Sequence, residues 1–226
     1  MVKKFHDDLN KLNNKVIEMG HLAIDSLKES VESLKNKNVE LANEVLKNKS
    51  KIANMDSLIE ERALILLTLH QPMAKDLRRI ATILKIITYL NRIGRYAKDI
   101  AKITVELSDK PQIKKLVSIP YMADIVCKMI DDALISFEKK DLKYIKDFSD
   151  RDDSVDQLRY SIFRECLTYM MEDSKNITTC TNYVMVARYL ERCADHAVKM
   201  AEKIHYMVTG EHIEIDPSTN SAKKTI

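Results

Sequence analysis

The chain has 226 residues, a formal net charge of +3 and 45% hydrophobic residues. Only three Gly and four Pro leave few tight turns, which favours a small number of long helices over many strands. The balanced charge gives no reason to expect nucleic-acid binding. The sequence contains no run of 18 apolar residues, so a membrane-spanning helix is not predicted. The start MVKKFHDDL has no apolar segment, so a signal peptide is not predicted either.

Apolar residues spaced three and four apart predict three long helices in the first half. The first helix covers about residues 3–35, the second about 39–69, and the third places Pro72 in its first turn and runs to about Leu107. The inward stripe of the first helix is Leu9, Leu12, Val16, Met19, Ala23, Leu27, Val31 and Leu34. The third helix is expected to turn Leu77, Ile80, Leu84, Ile87 and Ile93 inward.

Proline-containing segments at 108–111 and 118–120 interrupt the periodicity near the middle of the chain. Three further helices are predicted after them: 121–139, a fifth with Asp141 as its N-cap that ends near Glu172, and 177–208, stopped by Gly210. The expected fold is therefore all-α, with six long antiparallel helices in two tandem three-helix bundles. The predicted domains are residues 1–110, residues 111–212 and a flexible tail at 213–226.

An internal repeat relates the two halves. Residues 89–101 read YLNRIGRYAKDIA and residues 189–201 read YLERCADHAVKMA, so Tyr, Leu, Arg and two Ala recur 100 positions apart. A fixed offset of this kind indicates a duplication. The halves differ in charge, since residues 1–110 carry 20 Lys and Arg against 15 Asp and Glu, and residues 111–226 carry 17 against 19.

The second half holds two pairs of carboxylates at helical spacing. Asp152 and Asp156 are four residues apart on the fifth helix, and Glu191 and Asp195 are four apart on the sixth. Each pair flanks an apolar stripe, so all four carboxylates converge if the two helices are antiparallel neighbours. Converging anions repel each other, and a divalent cation would remove that repulsion. The alternative reading is a solvated acidic face.

The first half has lost these acids. Lys49, Ala53, Asn91 and Arg95 occupy the equivalent positions, so a metal site is predicted in the second repeat only. Arg95 could form an ion pair with Asp99, four residues further along the same helix. His196 points about 100° away from Asp195 and is expected either to support a metal ligand or to lie on the surface.

Two other groups of residues attract attention. Arg62, Arg78 and Arg79 could present a basic surface to an acidic partner, although a solvated face explains them too. The cysteines form no C-x-x-C pair and lie in apolar helical contexts, so free buried thiols in a reducing cytoplasm are expected; they are Cys127, Cys166, Cys180 and Cys193.

Several motifs together resemble a known family. Residues 70–80 read HQPMAKDLRRI, residues 190–197 read LERCADHA, residues 167–174 read LTYMMEDS and residues 206–211 read YMVTGE. In this order they are similar to the signatures of PhoU-type phosphate-uptake regulators. The resemblance spans about residues 5–212 and includes the duplication.

The resemblance implies a cytoplasmic and often dimeric regulator that is not an enzyme. Such proteins couple the ATP-binding subunit of a phosphate ABC transporter to a sensor histidine kinase, and they hold the phosphate-starvation response off when phosphate is plentiful. Some bind iron or zinc through E/D-x-x-x-D motifs, which match Asp152, Asp156, Glu191 and Asp195; other divalent cations stay possible, as does an empty site.

Two alternatives to the regulator remain open. One is a ferritin-like di-iron carboxylate oxidase, because Glu18 and His21, and also Glu202 and His205, have Glu-x-x-His spacing. The predicted fold places these two motifs in different bundles, which disfavours this reading. The other is a helical adaptor without a metal.

Overall fold

The computed structural model describes residues 2–215 and shows an all-α fold without strands in that range. Its long helices are α1 (Val2–Asn36), α2 (Val39–His70), α3 (Lys75–Glu106), α4 (Ser118–Lys139), α5 (Phe148–Glu172) and α6 (Ile177–Thr209). Two short 3-10 helices, Leu142–Ile145 and Ser174–Asn176, precede α5 and α6. The prediction of six long helices is confirmed.

The helices form two three-helix bundles that lie side by side. α1, α2 and α3 pack together, as do α4, α5 and α6, and the bundles join where α3 meets α6 and α1 meets α4. The buried apolar side chains of both bundles form one continuous core. Burial of apolar surface, worth about 25 cal/mol per Å², therefore holds the bundles to each other as well as holding each one together.

The predicted apolar stripes match this core closely. All eight stripe residues of α1 are buried, as are Ile80, Ile87 and Ile93 of α3. Leu77 is an error of the prediction, because its side chain is 46% exposed. It lies in the first turn of α3, where it does not reach the core that begins at Ile80.

The helix starts differ from the prediction at two prolines. α3 begins at Lys75, and Pro72 lies in the link that follows Gln71, whose left-handed backbone ends α2. Pro120 was predicted to precede a helix but lies within the first turn of α4, which begins at Ser118. A first turn tolerates proline because its N–H groups have no acceptor within the helix.

The fifth helix also starts later than predicted. The Asp141 side chain does cap a helix, accepting from the Lys143 N–H at 3.0 Å, but this is the 3-10 helix and not α5. At the other end of the fold, Gly210 ends α6 as expected, with φ of 86° and its N–H bonded to the Tyr206 carbonyl at 2.9 Å. The tail predicted at 213–226 lies outside the described residues from 216 onward.

An approximate two-fold axis passes between α3 and α6. The ring of Tyr89 stacks on His196 with centroids 5.6 Å apart, and Tyr96 stacks on Tyr189, also at 5.6 Å. Because 89 and 189 are equivalent in the repeat, as are 96 and 196, these two contacts are images of each other. The duplication seen in the sequence is therefore also a symmetry of the packing.

The bundles fill equivalent core positions with different residues of the same total size. Gly94 of α3 packs against Ile52 of α2, and a Cβ on Gly94 would lie 2.7 Å from the Ile52 Cδ1. At the equivalent positions the second bundle has Ala194 and Val155, both fully buried. One methylene has moved from one side chain to the other, which conserves volume.

We expect this exchange to be visible in a double-mutant cycle. Gly94→Ala gains helix propensity but crowds Ile52, and Ile52→Val leaves a cavity worth about 1 kcal/mol. The double variant should therefore be more stable than the sum of the single variants by about 1–2 kcal/mol. Urea denaturation of the four proteins measures this coupling, and additive effects would show that the two positions do not share one space.

Candidate functional site

The acidic cluster of the second bundle consists of Asp152, Asp156 and Asp195, with Glu191 beside them. α5 carries the first two and packs against α6, which carries the others. Burial, together with the negative charges of Asp195 and Asp156, raises the pKa of Asp152 to about 7. Burial and the charge of Glu191 also raise the pKa of Asp156. The four carboxylates therefore lie close enough to repel each other, as the sequence indicated.

Glu191 is already neutralised by two arginines. Its carboxylate is buried, with the Arg159 Nε of α5 at 3.2 Å. The Arg188 guanidinium donates to both Glu191 oxygens, at 2.5 Å to Oε1. Sequence reasoning missed both partners, although Arg188 stands three residues before Glu191, a spacing that puts side chains on one helix face.

Asp195 has a weaker partner. Its carboxylate lies 3.3 Å from the Arg192 Nη1, and both side chains are largely exposed. An exposed pair of this kind is worth less than about 1 kcal/mol. Arg192 is thus an ion-pair partner on the helix surface, whereas its repeat equivalent Arg92 forms no ion pair within the described chain.

The four acids fit a metal ion only in part. Carboxylates are suitable ligands for a hard or borderline cation, but the arginines occupy Glu191. Across residues 2–215, no three His, Cys, Asp or Glu side chains stand together as a group that could hold a metal. A cation at this place would have to draw Asp152, Asp156 and Asp195 closer together.

The raised pKa of Asp152 predicts a dependence of stability on pH. An unfolded aspartate has a pKa near 3.9, so between that pH and about 7 the folded chain holds a proton that the unfolded chain releases. The free energy of unfolding from this group therefore falls as pH rises through that window. We expect a loss of about 1–2 kcal/mol, reduced from the unscreened value because Asp152 is only partly buried.

Comparison with Asp152→Asn isolates this contribution. His196 acts in the opposite direction below pH 6.5, because burial, followed by the charges of Arg92 and Arg192, lowers its pKa to about 4. Urea denaturation from pH 4 to pH 8 should show that the Asn variant loses less stability on going to high pH. Parallel curves for the two proteins would contradict the placement of Asp152 among other acids.

The equivalent place in the first bundle carries a chain of hydrogen bonds. Lys49 Nζ donates to Asn91 Oδ1 at 3.1 Å, and Asn91 Nδ2 donates to Asp56 Oδ2 at 2.7 Å. Asp56 is the repeat equivalent of Arg159. A polar contact therefore joins α2 to α3 at the place where one joins α5 to α6. The two contacts differ in charge, because Asp56 is negative where Arg159 is positive.

Two side chains differ from their sequence interpretation. Asp99 pairs with Lys102 at 3.6 Å and not with Arg95. His196 neither lies free on the surface nor contacts Asp195. Its ring is stacked near Tyr89 and Tyr96, and its Nε2 is buried without a hydrogen-bond partner. The position of α3, which sequence spacing within α6 could not indicate, explains this.

The three candidate partner-binding arginines face different neighbours. Arg79 Nη2 donates to Asn10 Oδ1 of α1 at 3.1 Å, and the Arg78 guanidinium lies against Gly210 after α6. Arg62 is exposed and lines a cleft between α1 and α2. They do not share one surface, so a role in partner binding stays a prediction for which Arg62 is the most accessible residue.

The remaining sequence candidates have ordinary partners. Glu18 pairs with Lys15 at 2.6 Å, and Glu202 pairs with Lys199 at 2.8 Å. The two Glu-x-x-His motifs lie on α1 and α6, in different bundles, as expected. All four cysteines are free and buried, and burial raises the pKa of Cys127 and of Cys166 to about 12, which makes these thiols unreactive.

The fold and site together define a class: an all-α protein of two duplicated three-helix bundles, with an acidic cluster in the second bundle and a Lys49–Asn91–Asp56 hydrogen-bonded cluster at the equivalent place in the first. No helix within residues 2–215 has the length and apolar character needed to cross a membrane. A family model described as the PhoU domain matches twice, at residues 16–104 and 119–204. The chain belongs to the PhoU domain family.

Individual relatives agree with this assignment. A protein of Aquifex aeolicus (strain VF5), named phosphate-specific transport system accessory protein PhoU homolog, is 37% identical over 93% of this chain and 96% of the relative. The crystal structure of PhoU from Pseudomonas aeruginosa has a TM-score of 0.87 and 31% identity, covering 92% of this chain and all of that one. The crystal structure of the phosphate transport system regulatory protein PhoU from Streptococcus pneumoniae matches this chain with a TM-score of 0.85 and 25% identity, covering 93% of this chain and 99% of that one.

Proposed function

We propose that this chain regulates phosphate uptake and holds the phosphate-starvation response off when phosphate is plentiful. The observation that carries the proposal is that the PhoU domain model matches this chain twice. Relatives named as accessory proteins of phosphate-specific transport are also similar to it over nearly their full length. A duplicated helical scaffold with unreactive thiols and paired charges suits a binding protein, and we propose no enzymatic activity for it.

The proposed partners are a component of the phosphate transporter and a sensor kinase. We infer that the chain works in the cytoplasm as a homodimer, binding the ATP-binding subunit of a phosphate ABC transporter and a sensor histidine kinase. The family membership supports this inference, because a protein that is accessory to a transport system must act through contacts with its components. Nucleic acid is not among the proposed partners, since the net charge is only +3.

A deletion strain tests the regulatory role. Removal of the gene should leave phosphate-responsive genes active in medium rich in phosphate, and expression of the wild-type chain should restore repression. A strain that expresses a destabilised variant at a low level should resemble the deletion strain. Normal repression in the deletion strain would overturn the proposal.

We also propose that a divalent cation, iron or zinc first, binds in the second bundle through Asp152, Asp156 and Asp195. Glu191 would join the ligands only if it left Arg159 and Arg188. The support is the proximity of these carboxylates, whose repulsion adds to burial in raising the pKa of Asp152, and the suitability of carboxylates as ligands for such a cation. The fold does not depend on this cation, because the continuous apolar core holds it.

Metal titration followed by calorimetry tests the cation site with matched variants. Asp156→Ala with Asp195→Ala should abolish binding, whereas Asp56→Ala with Asp99→Ala removes the same charge from the first bundle and should not. Equal uptake by the first variant and wild type would refute the site. Absence of binding to every protein would favour the adaptor without a metal, and oxygen-dependent turnover of an iron-loaded form would favour the oxidase.

A further inference from the structure

Three cations, Lys49, Arg95 and Lys98, lie around Asn91 where α2 packs against α3, and we call this place the basic groove. The link 71–74 is short, so α2 and α3 run antiparallel, and the contact of Gly94 with Ile52 sets their register. Lys49 stands one turn before Ile52 on α2. It therefore lies beside the turn after Gly94 on α3, which carries Arg95 and Lys98.

The cations of this groove lack matching anions. Lys49 donates to an amide oxygen and not to a carboxylate, and the nearest carboxylate, Asp56, accepts from Asn91. Asp99 pairs with Lys102, and neither Arg95 nor Lys98 forms an ion pair within residues 2–215. The register of the two helices places the three cations near one another, and burial, followed by repulsion by Arg95 and Lys98, lowers the pKa of Lys49.

Asp56 does not remove this excess of positive charge. It faces Asn91 and Lys49, and burial raises its own pKa, an effect that the nearby Glu60 reinforces. Two carboxylates, the partly buried Asp56 and the exposed Glu60, therefore stand against three cations. The groove is the repeat equivalent of the acidic cluster, and it differs from that cluster in the sign of its net charge.

We propose that the basic groove binds a small oxyanion, with inorganic phosphate as the ligand. Ammonium and guanidinium N–H groups from two helices would surround such an ion and form charge-assisted hydrogen bonds to its oxygens. The ion would also cancel the repulsion among Lys49, Arg95 and Lys98, as a cation would cancel repulsion at the acidic cluster. This inference goes beyond the proposed regulatory role and does not depend on it, because binding is a property of the purified chain.

Equilibrium dialysis with radiolabelled inorganic phosphate tests the proposal on the full chain at low salt. Wild type should bind saturably, and sulfate should compete with phosphate. The double variant Lys49→Ala and Arg95→Ala should bind about tenfold more weakly or worse, since it loses two charged donors. The control variant Lys47→Ala and Lys85→Ala removes two exposed cations from the same two helices and should stay within about twofold of wild type.

Circular dichroism with thermal melting confirms that each variant is folded, and Lys49→Gln with Arg95→Gln provides a second, less disruptive pair. Absence of saturable phosphate binding to wild type would overturn the proposal, as would equal binding by the groove and control variants. Two further arms identify other sources of anion. Binding to phosphatidylglycerol vesicles or to poly-glutamate, without binding of free phosphate, would assign the groove to a lipid surface or to an acidic partner and would also overturn it.

Discussion

Replacing Glu191 with alanine is expected to lower the free energy of unfolding by about 2–3 kcal/mol. Glu191 is 9% exposed and forms ion pairs with Arg159 and Arg188. Removal of one partner from such a buried pair leaves the other charge desolvated and unpaired, and that is strongly destabilising. The expected loss is below the full value for a buried pair because the Arg188 side chain is 40% exposed and can turn towards water.

Urea denaturation measures this effect against two controls. Asp195→Ala removes an acid four residues away on the same helix, but one that is exposed beside Arg192, and should change stability by less than about 0.5 kcal/mol. Glu191→Leu combined with Arg159→Leu should recover part of the loss, since apolar residues of similar size often replace a buried ion pair without penalty. Equal effects of the Glu191 and Asp195 variants would show that Glu191 is solvated.

Leucine in place of Gly20 is expected to destabilise the chain by about 3 kcal/mol or more. Gly20 lies where α1 meets α4, and even a Cβ at this position would overlap the end of Leu134, with Cδ2 at 2.7 Å. Leu134 is 1% exposed, so it has little room to move aside. The gain in helix propensity, about 1 kcal/mol, is smaller than the strain of overpacking at the joint between the bundles.

A compensating variant separates crowding from other effects. Leu134→Ala should restore much of the stability of Gly20→Leu, while on its own it should destabilise by about 2–5 kcal/mol through a cavity. Thermal melting of the four proteins gives the coupling between the two positions. If Gly20→Leu melts like wild type, the two bundles are not packed closely at this point.

The stability predictions and the binding proposals share one feature of the molecule. Both copies of the duplicated unit keep the apolar core and the packing of their second helix on their third, α2 on α3 and α5 on α6. The charged residues at this contact differ between the copies. Lys49, Asn91 and Asp56 form hydrogen bonds in one bundle, whereas Asp152, Asp156 and Asp195 repel each other in the other. Surface polar residues can diverge in this way because the core supplies most of the stability.

The sequence by itself determined the helices, their inward faces and the duplication. The eight-residue stripe of α1 was predicted and is buried throughout, because the 3.6-residue period of a helix makes one face readable from spacing alone. The proximity of the four acids also followed from spacing, given antiparallel neighbours. The helix starts did not follow from the sequence. A proline is accepted both just before a helix and in its first turn, and Pro72 lies before α3 whereas Pro120 lies in the first turn of α4.

Only the tertiary structure decided which side chains meet across helices. Glu191 pairs with Arg159 from α5, Arg79 bonds to α1, and His196 stacks on Tyr89 of α3. Spacing gives the direction of a side chain around its own helix, but it does not say which residue of another helix stands opposite. That depends on the register and rotation of packed helices, which the whole core sets together.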